Sequence, residues 1–135
     1  MEATSTCEAP PAPRATVFVC VLCGRDPADK AAPPSGHALY EALAAEHEAR
    51  AETRFRIEPA QCLSNCNRGL TVAIAGPDRW TYMFGELMIE DAPGIYSGCV
   101  ANAETEDGLV PWNERPACFR RALIARVPPL PERSL

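Results

Sequence analysis

Positive charge and long apolar runs are both scarce in this chain. Its 135 residues include 13 basic and 18 acidic side chains, which gives a net charge of −5. Because binding to phosphates needs a basic surface, this balance argues against nucleic acid as the main partner. No apolar run approaches the roughly 18 residues of a membrane-spanning helix, so we expect no membrane partner. The run at 15–23 follows a proline-rich leader with one basic residue, so we also expect no signal peptide.

Sequence motifs of several enzyme classes are also missing. The chain has no glycine-rich phosphate-binding motif, no Ser-His-Asp pattern and no paired carboxylates of the kind that acid–base catalysis uses. The two histidines, His37 and His47, are ten residues apart and do not share a face of the helix predicted around them. We therefore expect them to be surface or core residues, and we expect no enzyme of these classes.

Cysteine, in contrast, is abundant, with seven residues. Without a secretory signal, this count indicates a reducing compartment, and we expect a cytoplasmic protein. There, cysteines serve as metal ligands, redox groups or buried apolar residues. Cys7 lies in the leader, and Cys99 and Cys118 belong to or flank apolar helix faces, so we predict that these three are not ligands.

Strand and helix patterns alternate through the middle of the chain. We predict strands at 16–20, 54–58, 71–75 and 80–84, and helices at 36–50, 92–103 and 115–126. The order is β-α-β-β-β-α with an additional C-terminal helix. This is the order of an α/β thioredoxin-like fold, in which helices pack on a central mixed sheet. We predict one domain at 15–127, between a disordered tail at 1–14 and a Pro-rich tail at 128–135.

Four cysteines form two close pairs where predicted strands give way to loops. The first pair is Cys20-Val-Leu-Cys23, and the second is Cys62-Leu-Ser-Asn-Cys66. Strands fix the backbone positions while the loops turn the sulfurs inward, so four thiolates can surround one metal centre. Structural zinc and iron–sulfur clusters both take four such ligands. The pattern therefore predicts a metal or cluster site.

The surroundings of the second pair resemble the second half of the thioredoxin-like 2Fe–2S ferredoxins. The resemblance covers Glu58-Pro-Ala-Gln-Cys-Leu-Ser-Asn-Cys-Asn-Arg-Gly-Leu-Thr-Val-Ala-Ile74 and Trp80-Thr-Tyr-Met-Phe-Gly85. In that family a Cys-x-x-x-Cys loop, with a glycine a few residues on, leads into a strand hairpin that ends in an aromatic residue. The whole stretch 17–127 is similar to a bacterial family of about this length, DUF1636, described as metal-binding or ferredoxin-like proteins of unknown function.

This resemblance implies a 2Fe–2S cluster bound by Cys20, Cys23, Cys62 and Cys66. It implies an electron carrier, monomeric or weakly dimeric, that passes single electrons to a redox partner and performs no chemistry of its own. Beside the cysteines, Gly69 would permit a tight backbone and Arg68 would supply a counter-charge. The ferredoxins usually separate their first two ligands by ten or more residues, whereas only two residues separate them here.

Two other interpretations of the cysteines stay open. A structural zinc or metal-handling module would use the same four thiolates, although its second pair is normally also Cys-x-x-Cys. A thioredoxin-like dithiol oxidoreductase is less favoured. Its nucleophilic cysteine normally opens a helix, but the residues after Cys23 are Gly-Arg-Asp-Pro-Ala-Asp, and no proline directly precedes the strand at 71–75.

An electron carrier also needs a surface at which its partner docks. We expect both cysteine loops to lie at one end of the domain, with Leu22, Leu63 and Leu70 as an apolar rim. Asp26 and Asp29 would steer a basic partner surface toward it.

Overall fold

Strands and helices alternate in the computed structural model, which describes residues 13–22, 31, 34–65 and 69–131. The strands are β1 (Ala15–Cys20), β2 (Phe55–Ala60), β3 (Leu70–Ala75), β4 (Thr81–Leu87) and β5 (Leu123–Val127). The helices are α1 (Ser35–Arg50), α2 (Ala92–Glu104) and α3 (Ala117–Ala122), with short 3-10 turns at Ile89–Asp91 and Trp112–Glu114. None of the helices in these ranges has the length and apolar character needed to cross a membrane. The predicted α/β class is confirmed.

The five strands form one mixed sheet in the order β2-β1-β3-β4-β5. β1 and β2 are parallel, and the other neighbouring strands are antiparallel. The helix α1 connects β1 to β2, because parallel neighbours need a long crossover. The carboxyl ends of β1, β2 and β4 therefore share one end of the sheet with the first residues of β3 and β5. We call this the cysteine end, since β1 finishes there at Cys20, and we call the opposite one the far end.

The core lies between the sheet and the two long helices. In β1, Val17 and Val19 are buried, whereas Thr16 and Phe18 on the other face are half-buried, as the two-residue period of a strand requires. Spacings of three and four residues place several buried side chains on one side of each helix. These are Leu39 and Leu43 of α1, and Ile95, Cys99, Asn102 and Ala103 of α2.

Aromatic side chains join the helices to the sheet. Phe119 of α3 stacks on Phe84 of β4, with ring centroids 3.9 Å apart. His47 of α1 packs on Phe55 of β2 at 4.7 Å and shares a 2.9 Å hydrogen bond between its Nδ1 and the Tyr96 hydroxyl. His47 is therefore a residue at the edge of the core, as the sequence predicted.

The C-terminal segment differs from the helix predicted at 115–126. A helix does form, but it ends at Ala122, and residues 123–127 are strand β5 instead. β5 pairs with β4, which would otherwise be an unpaired edge of the sheet. The pattern of Phe119, Ala122 and Leu123 has a helical spacing, but β-branched Ile124 and Val127 favour a strand. The tertiary pairing with β4 settles the conformation of this segment.

Candidate metal centre

The parallel strands β1 and β2 bring the first cysteine of each pair to the cysteine end. Cys20 is in register with Ala60, and the Val21 amide donates a 2.9 Å hydrogen bond to the Ala60 carbonyl oxygen. Cys62 follows Ala60 by two residues. Neighbouring strands are about 4.8 Å apart, so both cysteine loops leave the sheet side by side.

The two cysteines lie in different surroundings. Cys20 is fully buried, whereas Cys62 is exposed. The backbone N–H of Ser64, which has a left-handed conformation (φ 59°), donates to Cys62 Sγ at 3.2 Å. Hydrogen bonds from N–H groups to a ligand sulfur adjust the potential of a metal bound to that sulfur.

Asn65 fastens the second cysteine loop to the sheet. Its Nδ2 donates to Thr71 Oγ1 at 3.1 Å. Thr71 is fully buried near the start of β3, and continuing the β1–β3 register by one residue places it opposite Cys20. The Asn65–Thr71 bond thus ties the loop of Cys62 to the strand beside Cys20. Sequence reasoning missed this pair, although a threonine within the apolar run 70–75 was a signal.

Gly85 of β4 leaves room for this arrangement. A Cβ atom at this position would lie 2.6 Å from Asn65 Nδ2 and 2.6 Å from Ile124 Cδ1. Contacts this short are not tolerated between unbonded atoms, so a side chain here would require the ends of the Asn65 and Ile124 side chains to move, and with them the Asn65–Thr71 hydrogen bond. The absence of a side chain at Gly85 therefore leaves space for the Asn65 and Ile124 side chains. The sequence pattern did not reveal this role.

Gly69 closes the same loop where it enters β3. Its φ is +75°, and a Cβ atom there would lie 2.9 Å from the Cα atom of Glu86. The register of β3 and β4 shifts at this point, and Glu86 itself has φ 54°. The backbone at Gly69 therefore turns tightly, while its role beside a metal centre stays a prediction.

The other predicted site residues are only partly within the described structure. Cys23, Cys66, Arg68, Asp26 and Asp29 lie outside the described residues. Inside them, no three histidine, cysteine, aspartate or glutamate side chains are grouped so that they could bind a metal ion. The four-cysteine set stays a prediction.

The predicted apolar rim needs a correction. Leu22 is exposed and Leu63 is partly buried. Leu70 is buried in the core and is in register with Leu87, so its predicted place on the rim is wrong. As the first residue of β3, Leu70 belongs to the sheet and not to the loop.

Two of the remaining cysteines are core residues. Cys99 of α2 and Cys118 of α3 are buried, and burial raises the pKa of both thiols. Such thiols stay protonated at neutral pH, whereas a metal ligand must be a thiolate. That they are not ligands remains a prediction, and Cys7 lies outside the described residues.

The sequence matches the profile of one protein family over residues 17–129. The chain belongs to this family. Its description is a protein of unknown function, DUF1636. No curated protein matches the sequence of this DUF1636 chain.

Solved structures with a similar fold come from a thioredoxin-like [2Fe-2S] ferredoxin of Aquifex aeolicus. One is 18% identical, with a TM-score of 0.57 over 87% of this chain and 96% of the ferredoxin chain. Two cysteine-to-serine variants of that ferredoxin are 19% and 18% identical, each with a TM-score of 0.55 over 82% of this chain and 98% of theirs. The fold of this DUF1636 chain is therefore thioredoxin-like, as the sequence predicted.

The described donor groups fit a thiolate-bound metal or cluster. Cys20 and Cys62 start two loops that leave the same end of adjacent strands, and an amide already donates to one of the two sulfurs. Each is the first cysteine of a pair whose second member is three or four residues further on. The chemistry of this donor set suits soft metals such as iron in clusters, and zinc.

Proposed function

We propose that this protein is a small electron carrier whose 2Fe–2S cluster is bound by Cys20, Cys23, Cys62 and Cys66. The observation that carries the proposal is the β1–β2 register, which brings the starts of both cysteine loops to one end of the sheet. A bound cluster would accept one electron and release it to a redox partner protein. The chain would catalyse no reaction of its own.

The chain's own residues would have distinct parts in this function. Burial of Cys20 would keep water from one side of the centre, while the Ser64 amide would donate a hydrogen bond to the ligand sulfur of exposed Cys62. The bond from Asn65 to Thr71 would hold the second loop against β3. Arg68 would offset the negative charge of the centre, and the left-handed Gly69 would let the loop close beside it.

A cysteine spacing in the structurally similar ferredoxin supports the proposal. Its two variants replace cysteines that are four positions apart, which is also the separation of Cys62 and Cys66. The likeness of fold extends over nearly the whole ferredoxin chain. The first pair supports a shared centre independently, because β1 and β2 are parallel neighbours.

Purification without oxygen, followed by metal and sulfide analysis, tests the proposal. We expect about two iron and two sulfide ions per chain and a visible absorption spectrum of sulfur-to-iron charge transfer. Voltammetry should give a reversible one-electron wave. A colourless protein with one zinc ion would favour a structural module, and a metal-free protein that reduces disulfides would favour a dithiol oxidoreductase.

Cys20→Ala and Cys99→Ala form a matched pair for assigning the ligands. Both cysteines are buried, at 0% and 1% exposure, so both substitutions remove the same atoms from similar surroundings. We expect Cys20→Ala and Cys62→Ala to lose the absorption spectrum and Cys99→Ala to keep it. Loss of the spectrum in Cys99→Ala alone would contradict the assignment.

A further inference from the structure

A groove of about 280 Å³ lies beside the second cysteine loop. Two of its residues touch that loop: Gly85 lies against Asn65, and the backbone of Glu86 lies against Gly69. The groove is lined by Gly85, Glu86, Arg121, Ala122, Leu123 and Ile124. It therefore borders the described part of the loop that carries Cys62.

Two irregularities of the sheet shape this groove. The β3–β4 register shifts between Leu70 and Val72, and the β4–β5 register shifts between Met83 and Phe84. The pairings of β1 with β2 and with β3 show no such shift. Bulges of this kind redirect side chains and are frequent beside functional sites. Here they leave Glu86 and Ile124 exposed next to the loop.

Exposed apolar side chains continue the surface beyond the groove. Ile124 is 51% exposed and Met88, just after β4, is 54% exposed. Arg121, which lines the groove with Ile124, forms a 2.8 Å ion pair with Asp91. The same Asp91 oxygen accepts a 2.9 Å hydrogen bond from the Met88 amide, so Met88 lies next to the groove. Neighbouring Ile89 is also exposed. Several large apolar side chains exposed together typically mark a binding surface.

The charge on this surface is negative. Glu86 and Glu90 are exposed, and neither forms an ion pair with another described residue. Arg121 is the cation of the groove, and Asp91 already neutralises it. A partner that fits this surface must combine an apolar centre with cationic groups around it, since opposite charges steer association and like charges oppose it.

We propose that this surface, formed by the groove with Met88, Ile89 and Glu90, is where the electron-transfer partner docks. The partner would be a redox protein that presents its own centre within an apolar patch surrounded by lysine or arginine. This inference rests on the proposed function, because docking here brings a partner against the loop of Cys62. Because Leu70 is buried in the core, the apolar part of this proposed interface consists of Ile124 of β5 and of Met88 and Ile89, which follow β4.

Ile124 and Val127 allow a matched test of this surface. They lie on the same strand with exposures of 51% and 50%, but Ile124 is at the cysteine end and Val127 at the far end. Cytochrome c, a basic haem protein, serves as the probe. Its binding to the purified holo-protein is measured by calorimetry at low salt. Its one-electron reduction by holo-protein that has first been reduced with dithionite is measured by stopped flow.

We expect Ile124→Ser to weaken the binding of cytochrome c about fivefold, as loss of a half-buried isoleucine contact implies, and Val127→Ser to leave it unchanged. Met88→Ser provides a second variant in case Ile124→Ser unfolds. The double variant Glu86→Gln/Glu90→Gln should reduce the salt dependence of the reduction rate. The absorption spectrum should be that of the wild type in every variant, and the potential should be unchanged in the serine variants, which alter no charge.

Three results would overturn the docking surface. The first is an equal effect of Ile124→Ser and Val127→Ser on binding, and the second is a salt dependence of the reduction rate that Glu86→Gln/Glu90→Gln leaves unchanged. The third is a dimer of the protein that Ile124→Ser dissociates, which would mean that a second copy covers the surface. If the wild-type protein contains no iron, the proposed function is wrong. The calorimetric comparison of Ile124→Ser with Val127→Ser would still show whether cytochrome c binds at this surface.

Discussion

Two residues with left-handed backbone show how single positions shape this fold. Gly69 has φ +75° and lies so close to Glu86 that a Cβ atom would be 2.9 Å from the Glu86 Cα atom. Ala51, which ends α1, has φ 53°, and its amide donates to the Glu48 carbonyl oxygen at 3.2 Å. Glycine tolerates such a conformation, whereas alanine is strained by it. The same physical rule therefore predicts opposite effects at the two positions.

Gly69→Ala should destabilise the protein. The substitution adds left-handed strain and a clash with backbone that cannot move as a flexible side chain can, so we expect the free energy of unfolding to fall by about 2 kcal/mol. Chemical denaturation of the purified protein measures this change. If Gly69→Ala unfolds at the denaturant concentration of the wild type, the close approach to Glu86 does not constrain the loop.

Ala51→Gly should stabilise the protein by about 0.5 kcal/mol, because glycine relieves the strain of a left-handed helix end but increases the entropy of the unfolded chain. Ala51 is remote from the cysteine end, so the absorption spectrum of the holo-protein should not change. A loss of stability in Ala51→Gly would show that the α1 terminus is not strained. One variant removes a glycine and the other adds one, so the comparison distinguishes the effect of left-handed backbone strain from a general effect of glycine content on stability.

At the level of the single residue, the sequence predicted some features of the site and could not predict others. The strand end at Cys20 followed from an apolar run and the strand before Cys62 from an alternating one, while Gly69 was predicted only to permit a tight backbone. Leu70 was assigned to the loop, because periodicity locates the first residue of a strand only to within a residue or two. The roles of Asn65 and Gly85 depend on contacts between β3, β4 and β5 that no local pattern contains.

At the level of the element, a buried arginine closes the carboxyl end of α2. Arg79, between β3 and β4, donates to the Thr105 carbonyl oxygen at 3.1 Å, to Asn102 Oδ1 at 3.0 Å and to the Asn102 carbonyl oxygen. The last carbonyls of a helix have no partners within it, and a cation there also complements the helix dipole. Burial lowers the pKa of Arg79, and the nearby Arg14 adds to this effect.

Arg79→Met should destabilise the protein by about 3 kcal/mol, because it removes the buried donor of the Thr105 carbonyl oxygen and of Asn102 Oδ1. Arg56→Met is the control: Arg56 is exposed on β2 with a 3.3 Å ion pair to Glu58, and such a pair contributes less than about 1 kcal/mol. Chemical denaturation compares the two variants. Similar losses in both would mean that Arg79 contributes no more than an ordinary surface arginine.

The element that sequence analysis missed, β5, shows why helix and strand are hard to separate in short segments. Residues 117–122 form the helix that the pattern predicts, and the chain then extends without a glycine or proline to mark the change. Phe119 decides where the helix packs, since its ring stacks on Phe84. Once α3 is docked there, Leu123 lies beside the open edge of β4 and the next residues pair with it. Only the tertiary structure contains this information.

At the scale of the whole molecule, the two ends of the sheet carry different features. The cysteine end holds Cys20, the Cys62 loop and the groove beside that loop. The far end holds a network of arginines: Arg14 donates to the Ala103 carbonyl oxygen at 3.0 Å, and Arg54 pairs with Glu52 at 2.8 Å and Glu104 at 3.5 Å. A strand of six residues separates the ends by about 20 Å. Substitutions that alter stability at the far end should therefore leave the proposed cluster site unperturbed.

The contact of Glu52 with Arg54 at the far end makes the stability of the folded chain depend on pH. Hydrogen bonds from Arg54 lower the pKa of Glu52 from its ordinary value of 4.5 to about 2. A carboxylate whose pKa is lower in the folded state stabilises that state above its unfolded pKa. That stability is lost as the pH falls through the folded pKa, so Glu52 contributes fully at neutral pH and progressively less between about pH 4.5 and pH 2.

Glu52→Gln should remove this contribution. Because Arg54 is partly exposed and solvent screens the pair, we expect a loss of about 1 kcal/mol at pH 7 and a smaller difference from the wild type as the pH falls toward 2. Glu48→Gln, on the exposed face of α1, is the control for removing one negative charge from a chain with net charge −5. Thermal unfolding between pH 2 and pH 7 measures the stability of both variants.

If Glu52→Gln and the wild type differ by a constant amount at every pH, the carboxylate of Glu52 is not the group that titrates. If the two glutamine variants behave alike, net charge and not the Arg54 contact governs the acid stability of the fold, because only Glu52 of the two accepts hydrogen bonds from Arg54.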